Sequence, residues 1–279
     1  MSGYTAAVET ARAYYNSEDA DQFYFQIWGG EDIHVGLYER PDEPIRTASR
    51  RTVEQLAARA NGLDANSLVI DFGSGFGGAA RYLASTFGCR VKALNLSETE
   101  NQRARAMNRD QGLDHLIEVI DGSFESVPAQ DQCADLVWSQ DAILHSSQRE
   151  QVIAEAARVL RPGGDLIFTD PMQADDCPPG VLQPIFERIH LSSLGSIQFY
   201  RQTTAACGLV EVEVVALTQQ LITHYTRVRE ELMRQRPQLI DTVSDAYIER
   251  MIAGLGHWIE GGRKGYLSWG ILHFRAPLS

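Results

Sequence analysis

Cysteine, lysine and long apolar runs are all scarce in this 279-residue chain. The four cysteines, Cys89, Cys133, Cys177 and Cys207, form no CxxC, which excludes the common zinc and redox motifs and leaves reduced structural thiols. The seven histidines form no HExxH pair, so no metal site is expected. No stretch approaches the roughly 20 apolar residues that span a bilayer. Met1 to Asn16 has no basic region followed by an apolar one, so no signal peptide and no membrane partner are expected. Lys92 and Lys264 are the only lysines among 25 positive charges. Against 37 acidic residues these leave a net charge of −12, a surface that repels a phosphate backbone and argues against nucleic acid as a partner. An acidic, lysine-poor chain suits a salty cytoplasm, although a GC-rich coding sequence gives the same arginine bias. No internal repeat or low-complexity tract is present. These absences point to a cytoplasmic enzyme of small molecules.

Apolar residues make up 44% of the chain, enough for a sizeable core. Residues 1–66 are polar and aromatic, with helices expected around Thr5–Tyr15 and Ala48–Ala60, and are read as a cap over the remainder. From Ser67 strands and helices alternate, which predicts a mostly parallel α/β sheet across 67–279. Strands are expected at Ser67–Phe72, Arg90–Leu94, Leu116–Ile120, Ala134–Trp138, Asp165–Thr169, Val210–Leu217 and Tyr266–Arg275. Helices are expected at Gly77–Phe87, Ser97–Gln111 and Gln148–Leu160. Ser97 with Glu100 three residues on is a capping-box signature. Arg161-Pro162-Gly163-Gly164 is expected to turn the chain into the fifth strand. Residues 170–195 and 218–264 exceed the alternation. Ligands of open α/β sheets bind outside the carboxyl ends of the strands, so both insertions are candidate substrate walls, with core padding as the alternative.

The most informative stretch is Val69-Ile70-Asp71-Phe72-Gly73-Ser74-Gly75-Phe76-Gly77-Gly78. Gly73, Gly75 and Gly78 satisfy GxGxxG, so a dinucleotide has to be weighed. Asp71 argues against it, because an acid precedes the loop where dinucleotide fingerprints carry an apolar strand residue. A carboxylate there attracts an ammonium group, and S-adenosylmethionine carries one. The glycines, with Ser74 among them, let backbone approach a ligand without a Cβ clash; a loop that only turns the chain is the alternative. After the second strand, Asn95-Leu96 stands where an acid would meet ribose hydroxyls. An amide can accept from a hydroxyl but lacks the charge; a simple turn asparagine is the other reading. Gly122, Ser123 and Phe124 follow the third strand and offer an N–H, a hydroxyl and an apolar face to adenine.

Ala134-Asp135-Leu136-Val137-Trp138 resembles the fourth strand of S-adenosylmethionine-dependent methyltransferases, and Leu160-Arg161-Pro162-Gly163-Gly164 resembles their L-[KR]-P-G-G turn. Asp71 to Tyr82 resembles small-molecule amine methyltransferases. Trp138-Ser139-Gln140-Asp141-Ala142-Ile143-Leu144-His145, Phe25 to Tyr38 and His257 to Arg263 are similar to the glycine/sarcosine/dimethylglycine N-methyltransferases, and the likeness runs over nearly the whole chain. The resemblance implies a Rossmann-like methyltransferase fold with seven strands. The last, Tyr266–Arg275, would run antiparallel, with the long insertions as helical lids. It implies methyl transfer from S-adenosylmethionine to N,N-dimethylglycine, with sarcosine as a second acceptor, in the synthesis of the compatible solute glycine betaine. It also places Arg51 where an N-terminal arginine of glycine methyltransferases holds the cofactor carboxylate, and Gln140 beside the cofactor's methionine end. Phosphoethanolamine methyltransferases share the spacing of Asp141 and His145 and are the nearest enzymatic competitor. A nicotinamide dehydrogenase and a catalytically silent cofactor-binding protein are the readings from other classes.

Such a reaction is an in-line displacement at a sulfonium methyl by an amine lone pair. The protein must align the reacting atoms and receive the amine unprotonated. Aromatic faces stabilise the growing ammonium charge by roughly 0.5–2 kcal/mol each. Tyr15, Trp28, Tyr38, Tyr200 and Trp258 are candidates for that role, with core packing as the competing reading, and His34 is a candidate to close the pocket. Arg201, Arg188 and Arg263 are candidates to hold the substrate carboxylate. Asp141 and His145, four residues apart, are expected on one face of a helical turn. His145, at an ordinary pKa of about 6.5, would accept or relay the ammonium proton while Asp141 orients it; a packed structural histidine is the alternative.

Overall fold

Short apolar runs such as Leu68–Phe72 and Ala134–Gln140 are buried along nearly their whole length, as strands covered on both faces must be. The computed structural model describes residues 6–28, 30–189, 191–239 and 242–278. Its main sheet contains β1 (Leu68–Phe72), β2 (Arg90–Asn95), β3 (Ile117–Asp121), β4 (Ala134–Gln140), β5 (Leu160–Thr169), β7 (Val210–Ala216) and β9 (Gly270–Arg275). Their order is β3-β2-β1-β4-β5-β9-β7. β1 to β5 pair in parallel, and β9 is antiparallel to both β5 and β7. The last strand thus has the expected direction and lies one place in from the edge.

Two strand expectations need correction. Tyr266–Arg275 is not one strand: β8 (Leu267–Ser268) leaves the main sheet to pair with β6 (Met172–Gln173). The chain rejoins at Gly270, where a Cβ would overlap the Val215 carbonyl of β7. Arg161–Gly164 does not precede the fifth strand but forms its first half, and the pairing register slips between Ala134 and Leu136.

α4 (Gly78–Phe87), α5 (Glu98–Asp110) and α6 (Arg149–Val159) match the expected helices to within a residue or two. Ser97 caps α5, its Oγ accepting from the Glu100 N–H at 3.2 Å. The Glu100 carboxylate does not complete the box; it accepts from Asn95 Nδ2 at 2.9 Å. On one face of the sheet Phe72, Val137, Phe168 and Phe274 pack against Val152, Ile153 and Ala156 of α6. On the other, Val69, Leu136, Trp138 and Ile167 pack against Leu83 of α4 and Val53 and Leu56 of α3 (Ile45–Ala57).

A third apolar cluster belongs to the segments outside the alternation. It joins α2 (Glu18–Phe23) and a π-helical turn, Tyr24–Trp28, to the long helices α9 (Thr218–Leu239) and α10 (Asp245–Arg263). α1 (Ala6–Tyr15) and α7 (Gln183–Ile189) flank it, and α8 (Ile197–Ala206) lies against the sheet instead. Thr5, the expected start of the first helix, and Gly29 lie outside the described residues. Among the described residues no helix is long and apolar enough to cross a membrane.

Candidate functional site

The loops that leave the carboxyl ends of β1, β2, β3 and β4 enclose a pocket. Gly73, Gly75, Asn95, Leu96, Phe124 and Gln140 line it, joined by Tyr15 of α1 and Glu100 of α5. Asp71 and Ser74 line its continuation, opposite Asp32 and His34. Gly73 adopts φ +78° and a Cβ there would overlap that of Ala142, so only glycine fits.

Three buried polar atoms beside this loop have no hydrogen-bond partner among the described residues: Asp71 Oδ2, Ser74 Oγ and Gln140 Nε2. Trp138 Nε1 donates to Gln140 Oε1 at 3.1 Å and so fixes the amide. Burial pushes the Asp71 carboxyl up to about 7. Each unpaired buried group costs about 1–3 kcal/mol, a cost that a ligand with an ammonium group and hydrogen-bonding oxygens removes. The aminoacyl end of S-adenosylmethionine fits that donor and acceptor set.

The capping-box pattern gives no sign that the Glu100 side chain lines this pocket. It is buried, and desolvation raises its carboxyl to about 7. Asn95 lacks a charge of its own but is held against one. Other expected cofactor residues stand back from the pocket. Gly77 is the left-handed N-cap of α4. The Gly122 N–H donates to the Asn95 carbonyl at 3.1 Å, and Ser123 Oγ accepts from the Glu125 N–H at 3.1 Å. Arg51 is misplaced: its guanidinium donates to both Glu43 oxygens, at 2.6 and 3.0 Å, away from the glycine loop. Arg50, one residue earlier and so turned by a helical step, reaches the loop. Its Nη1 is 3.5 Å from the Gly78 carbonyl oxygen and its Nη2 2.8 Å from Asp32.

A second cavity of about 710 Å³ lies between the ends of β4 and β5 and the surrounding helices. Tyr15, Trp28, His34 and Trp258 line it as expected candidates, and Tyr14, Tyr24, Tyr225 and Tyr247 line it unforeseen. The Tyr225 and Trp258 rings lie 5.3 Å apart, and those of Trp28 and Tyr225 5.8 Å apart. Only the pairing of α9 with α10 brings Tyr225 to Trp258, which no local pattern reveals. Of the three arginine candidates, Arg188 alone lines this cavity, with Nη2 2.9 Å from Met251 Sδ. Asp141 and His145 border both this cavity and the glycine-loop pocket.

Asp141 does not share a helical face with His145. It adopts a left-handed φ of +53°, which ends any helix there, and the following residues form a 3-10 turn, Ile143–His145. Its carboxylate accepts from the Val35 N–H at 2.6 Å and from Trp269 Nε1 at 2.8 Å. The His145 ring pairs with Tyr15 instead, Nε2 to the hydroxyl at 2.9 Å. Burial, helped by the positive charges of Arg149 and Arg188, lowers His145 to about 4. The expected pKa near 6.5 is therefore wrong, and the imidazole is neutral at neutral pH. Burial likewise lowers His34 to about 4, opposed by the charge of Asp141, and raises Asp141.

Four expected substrate residues lie elsewhere. The Tyr38 hydroxyl is 3.0 Å from His224 Nδ1, in the buried core. Tyr200 and Arg201 belong to α8, which packs on the sheet rather than at the strand ends. Tyr200 is sealed beneath Phe168, its hydroxyl donating to Asp170 at 2.6 Å, and Arg201 faces out to Glu211 at 2.8 Å. Arg263, in the last turn of α10, is exposed outside the cavity.

Residues 70–168 match the methyltransferase domain family. Over 269 residues, 96% of each chain, the sequence is 60% identical to a sarcosine/dimethylglycine N-methyltransferase of Halorhodospira halochloris. It is 50% identical over 272 residues to the enzyme of the same name from Aphanothece halophytica, covering 98% of each. A solved structure from Galdieria sulphuraria, provisionally assigned as a sarcosine dimethylglycine methyltransferase, superposes with a TM-score of 0.90 at 42% identity. The match covers 95% of this chain and all of that one.

Proposed function

The chain belongs to the sarcosine/dimethylglycine N-methyltransferase family, and from that premise we propose that it methylates N,N-dimethylglycine to glycine betaine, with sarcosine as an earlier acceptor. One observation carries the acceptor assignment: an aromatic cavity that holds Arg188 adjoins the glycine-loop pocket across Asp141 and His145. S-adenosylmethionine supplies a methyl group made electrophilic by the sulfonium that bears it.

The residues around it do the rest. Asp71 takes the cofactor ammonium, and Gln140 and Ser74 take its remaining polar groups. Gly73 and Gly75 keep the loop close to the ligand, Phe124 packs on the base, and Asn95 with Glu100 faces the ribose. In the second cavity the guanidinium of Arg188 pairs with the acceptor carboxylate, a charged contact worth about 1.5–3 kcal/mol. Trp28, Tyr225 and Trp258 surround the methylated nitrogen with ring faces, which favour the quaternary product at roughly 0.5–2 kcal/mol each. Asp141 adds a negative charge between the two ligands.

The His145–Tyr15 pair completes the wall without adding positive charge. Burial holds the Tyr15 phenol well above its ordinary pKa, so it stays protonated and can donate to Nε2 of a neutral His145. A charged imidazole there would repel the incoming ammonium. With a pKa of about 4, His145 competes poorly for the amine proton, so the amine gives that proton to water on the way in. Alignment in a dry site then supplies most of the rate. Residues 1–66 serve in this reading as a cap, with Tyr14, Tyr15, Tyr24 and Trp28 on its inner side, and the enzyme works in the cytoplasm.

Labelled methyl transfer to glycine, sarcosine, N,N-dimethylglycine and phosphoethanolamine tests the assignment. N,N-dimethylglycine should be the best acceptor and glycine a poor one. Preference for phosphoethanolamine, or for glycine with N,N-dimethylglycine inert, would overturn it.

A further inference from the structure

Leu144 is gripped by its backbone from both sides. Its N–H donates to Asp170 Oδ1 at 2.9 Å, and its carbonyl accepts from Arg149 Nη2 at 3.1 Å. The 3-10 turn that contains Leu144 is only three residues long and cannot satisfy these groups itself. Both gripping side chains are buried, Asp170 completely and Arg149 to 6% exposure. Each has a second anchor. Asp170 Oδ2 accepts from the Tyr200 hydroxyl at 2.6 Å. Arg149 donates to Ser193 Oγ at 3.2 Å and also to the Ser193 carbonyl.

A continuous polar chain, Tyr200–Asp170–Leu144–Arg149–Ser193, therefore runs beneath the aromatic cavity. It joins α8, the end of β5, the His145 turn, α6 and the segment that follows α7. The cavity wall contains Leu144, at the middle of this chain, with His145 beside it, and Arg188, five residues before Ser193 at one end. A buried carboxyl, pushed up to about 7 by burial, and a buried guanidinium are a costly way to hold one residue of a turn, because apolar residues of similar volume often do as well or better. What such a grip provides is a fixed distance.

We propose that Asp170 and Arg149, braced by Tyr200 and Ser193, are positioning residues that fix the separation between the His145 and Arg188 ends of the cavity. They thereby select acceptors with one carbon between amine and carboxylate. The inference rests on the acceptor assignment above. With the carboxylate held at Arg188, one extra methylene moves the nitrogen by about 1 Å, and a displacement of that size costs on the order of 100-fold in rate. A loosened clamp lets the wall follow the longer acceptor and recovers part of that loss.

The test uses Tyr200→Phe, which removes one hydroxyl from the chain, and Ser193→Ala at its half-exposed end. For each protein, kcat and KM are measured with N,N-dimethylglycine and with N,N-dimethyl-β-alanine. S-adenosylhomocysteine affinity and the melting temperature are measured alongside. The wild type should prefer N,N-dimethylglycine. The variants should lose that preference by roughly 10-fold, part of the misplacement penalty, as kcat rises on the longer acceptor relative to the shorter. Their S-adenosylhomocysteine affinity should stay within about twofold, as expected for side chains remote from that pocket. An unchanged preference, or equal losses on both acceptors, overturns the inference. Should Tyr200→Phe fail to fold, Ser193→Ala alone decides. A wild type inactive on both acceptors overturns the acceptor assignment and this inference with it. An active wild type whose variants keep their preference overturns the inference alone.

Discussion

The glycine-loop pocket draws most of its walls from successive turns of one sheet, at residues 71–75, 95–100 and 124–142, with Tyr15 and the 31–34 segment closing it. The aromatic cavity instead takes side chains from α1, the π-helical turn, α7 and α10, with Tyr225 alone from α9. Their chemistry differs in the same way. Beside the glycine loop, Asp71, Ser74 and Gln140 hold polar atoms without protein partners. In the cavity the hydroxyls satisfy one another: Tyr14 is 2.9 Å from Tyr247 and 3.3 Å from Tyr24. One half offers a ligand charge and hydrogen bonds that the protein leaves open. The other presents finished ring surfaces and two arginines, Arg188 and Arg250, the latter 5.8 Å over the Tyr247 ring. The two halves should therefore fail separately.

The largest expected failure is Gly73→Ala. A strained φ costs about 1–3 kcal/mol, and the added methyl also collides with Ala142. S-adenosylmethionine affinity should fall roughly 100-fold or more in calorimetry. Unchanged affinity would remove the glycine loop from the cofactor half.

A graded effect follows from Asp71. Its carboxyl, raised to about 7 by burial, is mostly neutral below that pH. Pairing with the ammonium needs the ionised form, so ionising it becomes part of the binding free energy in acid. Affinity for S-adenosylmethionine should weaken about tenfold per pH unit below 7 and level off above it. Asp71→Asn should bind weakly with no such slope. A wild type flat from pH 5 to 8 would show that Asp71 does not meet the ammonium.

The smallest effect is expected at His145, where the two halves touch. His145→Ala should lower kcat by about tenfold at most, below the roughly 100-fold at which proton-transfer groups begin. The kcat–pH profiles of variant and wild type should be parallel from pH 6 to 9, because the imidazole is uncharged throughout that range. A wild-type inflection near 6.5 that the variant loses would make His145 a proton acceptor after all.

The same division explains what could be read from residue order. Strand, loop and helix are local, so Asp71, Gly73, Ser74 and Gly75 were legible as one cradle, whereas the reversed direction of the last strand came only from the family resemblance. Errors began where one angular step matters. Helical rotation sends Arg51 to Glu43 and leaves Arg50 at the loop. The left-handed Asp141 breaks the turn that was to align it with His145. Tyr200 and Arg201 looked like a substrate pair because they follow the fifth strand, but α8 packs on the sheet face. Tyr225 was invisible, since it meets Trp258 only after α9 and α10 pair. Glu100 was hidden behind a capping-box assignment that is only half right, because its N–H serves the helix and its side chain the pocket.

The central claim is that charge on the cofactor side and charge on the acceptor side act independently, with Arg188 serving only the acceptor. Arg188→Met tests it most directly, because methionine keeps much of the packing against Met251 and removes the guanidinium. S-adenosylhomocysteine and then N,N-dimethylglycine would be titrated into the variant and the wild type by calorimetry. The account predicts unchanged S-adenosylhomocysteine affinity and N,N-dimethylglycine affinity weakened by roughly 10- to 100-fold, the loss of one charged hydrogen-bonding contact. Undiminished N,N-dimethylglycine affinity, or an equal loss for both ligands, would contradict it.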